Sequence, residues 1–387
     1  VIGPVLAALA VVAAAAAGPP VASPGDGIPG RVSVRVLGRL HPAALELSDG
    51  TRVHRASASA GALLLDGAPV ASPFALPHGR WRIAAAGAPA RTYDGSVELA
   101  ADGREVAVVV RMDLEEHVAA AVAAESGPDT PREALRALAV VIRSFAASAR
   151  GRHRDADLCD LAHCQVMGGR ASGRHGAAGR EAARSTAGRV LRLDSGRVAE
   201  AAFHAACGGH TADPLQVFGG GGTGAAAVPD PECPEEAWRT VVPAATLARA
   251  LARALPPGRG AAGAGDLRFV RGAGGWVIQV VDGGASVGGE AFTRALDREL
   301  GHGRVRSARF EMRRRATAFE LVGQGNGHGV GLCQAGAFLR ASRGEDHAAI
   351  LSHYFPLARL EGGTEVTVLG AGPTAPRSAP LNRTSSR

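Results

Sequence analysis

The chain has 387 residues, 46% of them hydrophobic, which allows two or three domains and a substantial core. Its formal charge is +7, yet it contains no lysine, so all 43 basic residues are arginine, and only two asparagines occur. Such usage reads as the codon bias of a GC-rich genome. The basicity is therefore no argument for a nucleic-acid partner, and lysine-dependent phosphate loops and Schiff-base chemistry are excluded.

The apolar run from Val5 to Ala17 is too short for a comfortable membrane span and reads as the hydrophobic part of an export signal. Residues 1–30 are expected to be a leader and linker, touching a membrane only if the leader stays uncleaved. Val32-Ser33-Val34-Arg35-Val36 alternates apolar and polar and opens a series of short strands broken by Gly and Asp turns. Residues 31–92 are expected to form a small β-rich domain. Ser96–Leu99 and Val106–Val110 read as a hairpin turning at Asp102-Gly103.

Two helices follow. The first starts at Asp113, an N-cap candidate with Glu116 three residues on, and runs to Glu125, where Ser126-Gly127-Pro128 stops it. In the second, Thr130 is expected to cap, Pro131 to take the first position and Glu133 to close a capping box. Leu135, Leu138, Ile142 and Phe145 then share one face. Further strands are expected around 198–206, 267–270, 276–281 and 308–311, with helices near 245–254, 291–300, 334–341 and 346–354. The class is α+β, with a unit spanning 93–362 that contains an α/β subdomain at about 236–320. A Pro-, Ser-, Thr- and Arg-rich tail, 363–387, is expected to be disordered.

Four features carry candidate chemistry. Glu125 ends an amphipathic helix, where the negative end of the helix dipole and partial burial would both favour a protonated carboxyl, as a general acid requires; the alternative is an ordinary exposed glutamate at a helix end. His153, Cys159, His163 and Cys164 place two imidazoles and two thiols within twelve residues, a donor set suited either to a structural zinc or to a Cys159–Cys164 disulfide flanked by surface histidines. Cys207 and Cys233 are a candidate disulfide pair, leaving Cys333 over. Finally, Gly323 to Gly331 places a glycine at every second position around His328. No nucleotide-binding pattern fits there, and a backbone cradle for sugar hydroxyls or an oxyanion, with His328 and Gln334 as side chains, competes with a tight structural turn.

In this order, the pieces resemble the stage II sporulation protein D family (SpoIID/LytB domain). They are Tyr93-Asp94-Gly95-Ser96, Met112 to Val118, Ala123-Ala124-Glu125-Ser126-Gly127-Pro128, Glu133 to Val140, Arg143-Ser144-Phe145, His163-Cys164-Gln165, Cys207-Gly208-Gly209-His210-Thr211 and Gly325 to Ala337. The resemblance covers about 93–361. It implies a secreted or envelope-bound protein acting on peptidoglycan glycan strands by lytic transglycosylation, with the catalytic glutamate at Glu125. It also implies zinc at His153, Cys159, His163 and Cys164, and a cleft lined by Arg143, Gly327, His328, Gly329 and Gln334. Some relatives are instead non-catalytic enhancers of an N-acetylmuramoyl-L-alanine amidase. The chain departs at positions where the family often has Gln (here Leu138), Tyr or Thr types (here Phe145 and Ser144), Met after the catalytic Glu (here Ser126) and an aromatic (here Ala335), so its glycan contacts are expected to differ.

Overall fold

The structure, a computed structural model, describes residues 27–255 and 267–362. The expected leader, up to residue 26, and the expected disordered tail lie outside the described residues. The class is α+β, as the sequence reading has it.

One nine-stranded sheet dominates. Its strands are β1 (Arg31–Val36), β2 (Ala44–Ser48), β3 (Val53–Ser59), β4 (Ala62–Leu65), β5 (Ala68–Val70), β6 (Phe74–Ala85), β7 (Arg91–Asp102), β8 (Glu105–Asp113) and β9 (Leu158–Cys159), in the order β5-β4-β3-β2-β6-β7-β8-β1-β9. The expected hairpin is present, with Asp102 opposite Glu105. Strand β1 sits between β8, antiparallel with Arg31 opposite Asp113, and β9, parallel with Arg35 opposite Cys159. The domain boundary expected at 92/93 therefore falls inside a continuous sheet: β6 pairs along β7, and the first strand of the chain pairs with β8. Turn composition marked many short strands, but it carried no information on the long-range pairing that joins them.

Strand β8 runs directly into α1 (Leu114–Glu125), where the Asp113 carboxylate accepts the Glu115 N–H at 2.8 Å. Ser126 is extended and its hydroxyl donates to the Val122 carbonyl at 2.6 Å, which ends the helix at Glu125 as expected. The start of α2 (Arg132–Ser148) differs from expectation. The Thr130 hydroxyl donates to the Gly127 carbonyl, Pro131 occupies the cap without a side-chain bond, and Glu133 turns to Arg136 and His347. Thr130 is used by the preceding turn, so the helix begins without a capping box.

Both helices are buried on most sides, and α3 (Gly173–Ser185) packs against both of them. Arg143 ties these helices together. Its side chain is 0% exposed; it makes a two-pronged pair with Glu115 at 2.8 and 2.6 Å and donates to the carbonyls of Ala183 and Arg189 at 3.0 and 3.1 Å. The strand expected across 198–206 contracts to Phe203–His204. Its neighbours instead bond to separate segments: Ala199 to Leu191, Glu200 to Gly222, and Ala206 to Asn326 through a pair of reciprocal bonds.

A short helix, α4 (Pro214–Phe218), precedes a second hydrophobic core drawn from Trp238 to Leu321, the stretch set apart in the sequence as a subdomain. It contains α5 (Ala244–Ala254), α6 (Gly289–Leu300) and two three-stranded antiparallel sheets, with Phe292 and Phe310 stacked at its centre. The chain then returns to the first core. Leu332–Cys333 pairs parallel with Phe203–His204, α7 (Gln334–Ser342) and α8 (His347–Tyr354) follow, and Ala358–Glu361 pairs with Val190–Leu193. Among the described residues no helix is long and apolar enough to cross a membrane.

Candidate functional site

The return of the chain brings the start of α7 onto the end of α1. Gln334, the first residue of α7, donates from Nε2 to the backbone carbonyl of Glu125 at 2.9 Å, across 209 positions of sequence. Between the two helix ends opens a cleft of about 430 Å³, large enough for a small-molecule or sugar unit. Its walls include Glu125, Ser126, Leu138, Gln334, Ala335 and Phe338. Glu125 is the single carboxylate among the described residues lining it.

Glu125 is half-buried, and burial pushes its carboxyl above the ordinary range, against one opposing contact: Oε1 accepts the Val166 N–H at 3.0 Å. Its place at the C-terminal end of α1 acts in the same direction as burial. Oε2 has no hydrogen-bond partner among the described residues. The group is thus held by one oxygen and protonatable on the other.

Val166 is itself held by the loop after α2. In that loop His153 Nε2 lies 3.1 Å from Cys164 Sγ, and His163 Nε2 lies 3.3 Å from Cys159 Sγ. Ligand atoms of all four residues lie within 4.8 Å of one another, a group able to hold a metal ion. Cys159 and Cys164 are both free thiols. Gln165, next in the chain, spans to His117 Nε2 at 2.8 Å and the Ile142 carbonyl at 3.1 Å, so the segment is fixed on both sides before it reaches Glu125.

Cys207 and Cys233 also meet, but not as an isolated pair. Both are free, and Cys333, expected to be left over, joins them with its Sγ 3.5 Å from that of Cys233. Asp230 completes a second four-residue group.

The remaining expected cleft residues lie elsewhere. Arg143 has no exposed surface and its donors are taken by protein groups, so it is a structural tie between helices rather than a substrate contact. His328 packs edge-on to Phe218 and beside His204, with ring centroids 5.2 and 5.7 Å away, and its Nδ1 accepts the Val330 N–H at 3.0 Å. It is not among the residues that line the cleft around Glu125. Burial pushes His328 down to about 4 and His204 to about 3, so both rings are neutral at neutral pH.

The glycines beside His328 face protein. A Cβ on Gly329, at φ +81°, would meet the Trp276 ring at 2.3 Å, and one on Gly331, at φ +76°, would meet the Ala202 carbonyl at 2.1 Å. The Gly327 N–H is used by the Arg306 carbonyl at 2.8 Å. Of the two readings of this run, the tight structural turn is the one the contacts support.

Two contributors escaped sequence reasoning. Val166 acts through its backbone N–H, which leaves no side-chain signature. Phe338 is an exposed aromatic on α7, one turn beyond Ala335, where the family's aromatic is missing. A residue one helical turn from an expected contact was the available signal. Three of the noted departures, Leu138, Ser126 and Ala335, line the cleft. Ser144 does not; it accepts the Leu191 N–H and donates to the Val140 carbonyl.

The chain is similar to an uncharacterized protein of Brachyspira hyodysenteriae, 25% identical over 268 residues that cover 68% of this chain and 70% of that protein. Residues 102–193, which hold α1, α2, Glu125 and the four-residue His/Cys group, match the family model described as Stage II sporulation protein. The match over this segment supports membership of the SpoIID family, whose proteins are sporulation- and cell-wall-related.

Proposed function

We propose that the chain is a peptidoglycan lytic transglycosylase that cleaves the bond between N-acetylmuramic acid and N-acetylglucosamine with Glu125 as its general acid and base. The observation that carries this reading is the solitary half-buried carboxyl in the cleft, raised by burial. A glycoside hydrolase needs two carboxyl groups, one for the leaving group and one for water or for attack. One is enough when the substrate supplies its own nucleophile.

In the proposed reaction the Glu125 proton passes from Oε2 to the glycosidic oxygen as the C1–O bond breaks and the N-acetylglucosamine hydroxyl leaves. The muramic acid C6 hydroxyl then attacks C1 and gives its proton to the Glu125 carboxylate. The products are a 1,6-anhydro end and a free 4-hydroxyl, and the enzyme regains its starting proton. The Val166 N–H keeps Oε1 as an acceptor throughout, and Gln334 fixes the end of α1 through the Glu125 carbonyl. Phe338 offers the face of an aromatic ring to a sugar.

We further infer that His153, Cys159, His163 and Cys164 hold zinc. Two sulfurs and two nitrogens suit its tetrahedral preference and leave no open position, so the ion would act as a structural staple. It would fix the loop that presents Val166 to Glu125. Metal analysis of Cys159→Ser should show about one zinc per chain fewer than the wild type.

Export to the cell envelope follows from the substrate. A second reading, a non-catalytic enhancer of an N-acetylmuramoyl-L-alanine amidase, is favoured by one observation: Leu138, Ala134, Ala335, Ala337 and Leu339 make much of the cleft apolar. Purified glycan strands, with and without stem peptides, distinguish the two. Mass analysis should find anhydro-muramic ends with wild type and none with Glu125→Gln. Strands left intact by both proteins, yet sedimenting with them, would sink the enzyme reading in favour of the enhancer.

A further inference from the structure

The second sulfur cluster lies behind the cleft wall rather than in it. Cys207 and Asp230 come from two turns of the region between Phe203 and Trp238, Cys233 follows Asp230, and Cys333 caps α7. All four are buried, with Asp230 at 0% exposure, and their ligand atoms lie within 4.8 Å of one another. A buried carboxylate next to three thiols is costly unless something neutralises it.

The protein groups present do not complete the task. Asp230 Oδ2 accepts from the Tyr354 hydroxyl at 2.8 Å and from Cys207 Sγ at 3.3 Å, while Oδ1 is buried with no hydrogen-bond partner. The nearest cation, Arg340, stays 3.8 Å from Oδ1. The sulfurs, by contrast, are ringed by backbone donors. Cys333 Sγ accepts the N–H groups of Cys207 and Gly336, and Cys233 Sγ accepts that of Gly208, each at 3.3 Å. Backbone N–H groups aimed at sulfur stabilise thiolate rather than thiol, and they are what orients sulfur ligands around a metal.

A Cys207–Cys233 disulfide would take two of the four groups and leave Cys333 and the orphaned Asp230 oxygen beside it. A single divalent cation takes all four. We propose that Cys207, Asp230, Cys233 and Cys333 form a second metal site, structural in character and selective for zinc. Three thiolates and one carboxylate match the sulfur and oxygen donors zinc accepts, and the burial of all four leaves no open position for water. Tyr354, through its hydroxyl on Oδ2, orients the carboxylate.

The consequence for the fold is specific. Cys333 immediately precedes Gln334, so a metal here ties the 207–210 and 230–233 turns to the start of α7. That start carries Gln334 and Phe338 into the cleft opposite Glu125.

The test is elemental analysis of the full chain, purified without chelator, with zinc as the only added metal. Wild type should carry about two zinc per chain, Cys159→Ser about one, Cys333→Ser about one, and the double variant about none. Because Cys333→Ser can fail to fold, the wild type is also denatured without reductant and its cysteines mapped by mass spectrometry. Cys207, Cys233 and Cys333 should all be free thiols, blocked from alkylation in the folded protein until a chelator strips the metal. A zinc content that Cys333→Ser leaves unchanged, a wild type with no zinc, or a Cys207–Cys233 disulfide in the map would overturn the proposal. None of these readouts depends on glycan cleavage, so failure here and failure of the transglycosylase reading are separate results.

Discussion

The end of α1 and the glycine run at 323–331 make opposite use of conspicuous sequence. At the end of α1 an ordinary glutamate, followed by a Ser-Gly-Pro stop, is half-buried beside an open cleft. In the glycine run, alternate glycines and a histidine look made for a ligand, yet Trp276, Ala202 and Phe218 fill the space they leave. Glycine permits close approach without saying what approaches. A carboxylate at a helix end beside empty volume is a stronger mark of chemistry than a crowd of small residues.

Substitutions can break this contrast, beginning with the largest expected effect. Gly329→Ala should cost about 3 kcal/mol, combining a strained positive φ with a Cβ forced against the Trp276 ring. Chemical denaturation would measure it; a loss below about 1 kcal/mol would mean the run has room to spare and reopen the cradle reading. Arg143→Met should also destabilise, by about 2 to 3 kcal/mol, since Glu115 and two carbonyls lose their donors. If stability is kept and only KM for glycan strands rises, Arg143 belongs to the cleft after all.

Phe338→Ala tests the open side of the comparison. Loss of one stacking ring should weaken glycan binding about tenfold in sedimentation assays, close to 1.4 kcal/mol, with the melting temperature unchanged. Unchanged binding would remove Phe338 from the site.

The smallest effect is one of pH. His204 and His328 have folded pKa values of about 3 and about 4, below their ordinary 6.5, because burial disfavours the charged ring. The unfolded chain therefore binds protons first, so their contribution to stability is complete above about pH 6.5 and is lost as pH falls toward 4 and then 3. The melting temperature of wild type should fall across that window, and His328→Gln should flatten the slope. Glu125 has the opposite sign. Its raised pKa means that ionisation works against the folded state as pH rises, so Glu125→Gln should melt no lower than wild type at neutral pH.

Local signals were legible in the sequence. The Asp113 cap, the stop at Glu125 and the Asp102-Gly103 hairpin turn depend on neighbours in the chain, and each appears where it was read. The His153 to Cys164 group was legible for the same reason, since its donors lie within a single loop. What depends on distant segments was not. Pairing of β1 with β8 erased the expected domain boundary, and Gln334 reached Glu125 across 209 residues. The Cys207 group is assembled from turns separated by up to 126 residues, so it read as one pair and a remainder. Arg143 shows the limit from another side: its charge suggested a ligand, and only its burial among Glu115, Ala183 and Arg189 reveals a structural role.

The sharpest measurement compares Glu125→Gln with His328→Ala on the same purified glycan strands, following the rate of anhydro-muramic end formation per folded protein. With the chemistry at the end of α1 and packing at the glycine run, Glu125→Gln should lose about 10³-fold or more in kcat/KM, while His328→Ala stays within about tenfold of wild type. Equal losses in both, or a larger loss in His328→Ala with its fold intact, would contradict the account.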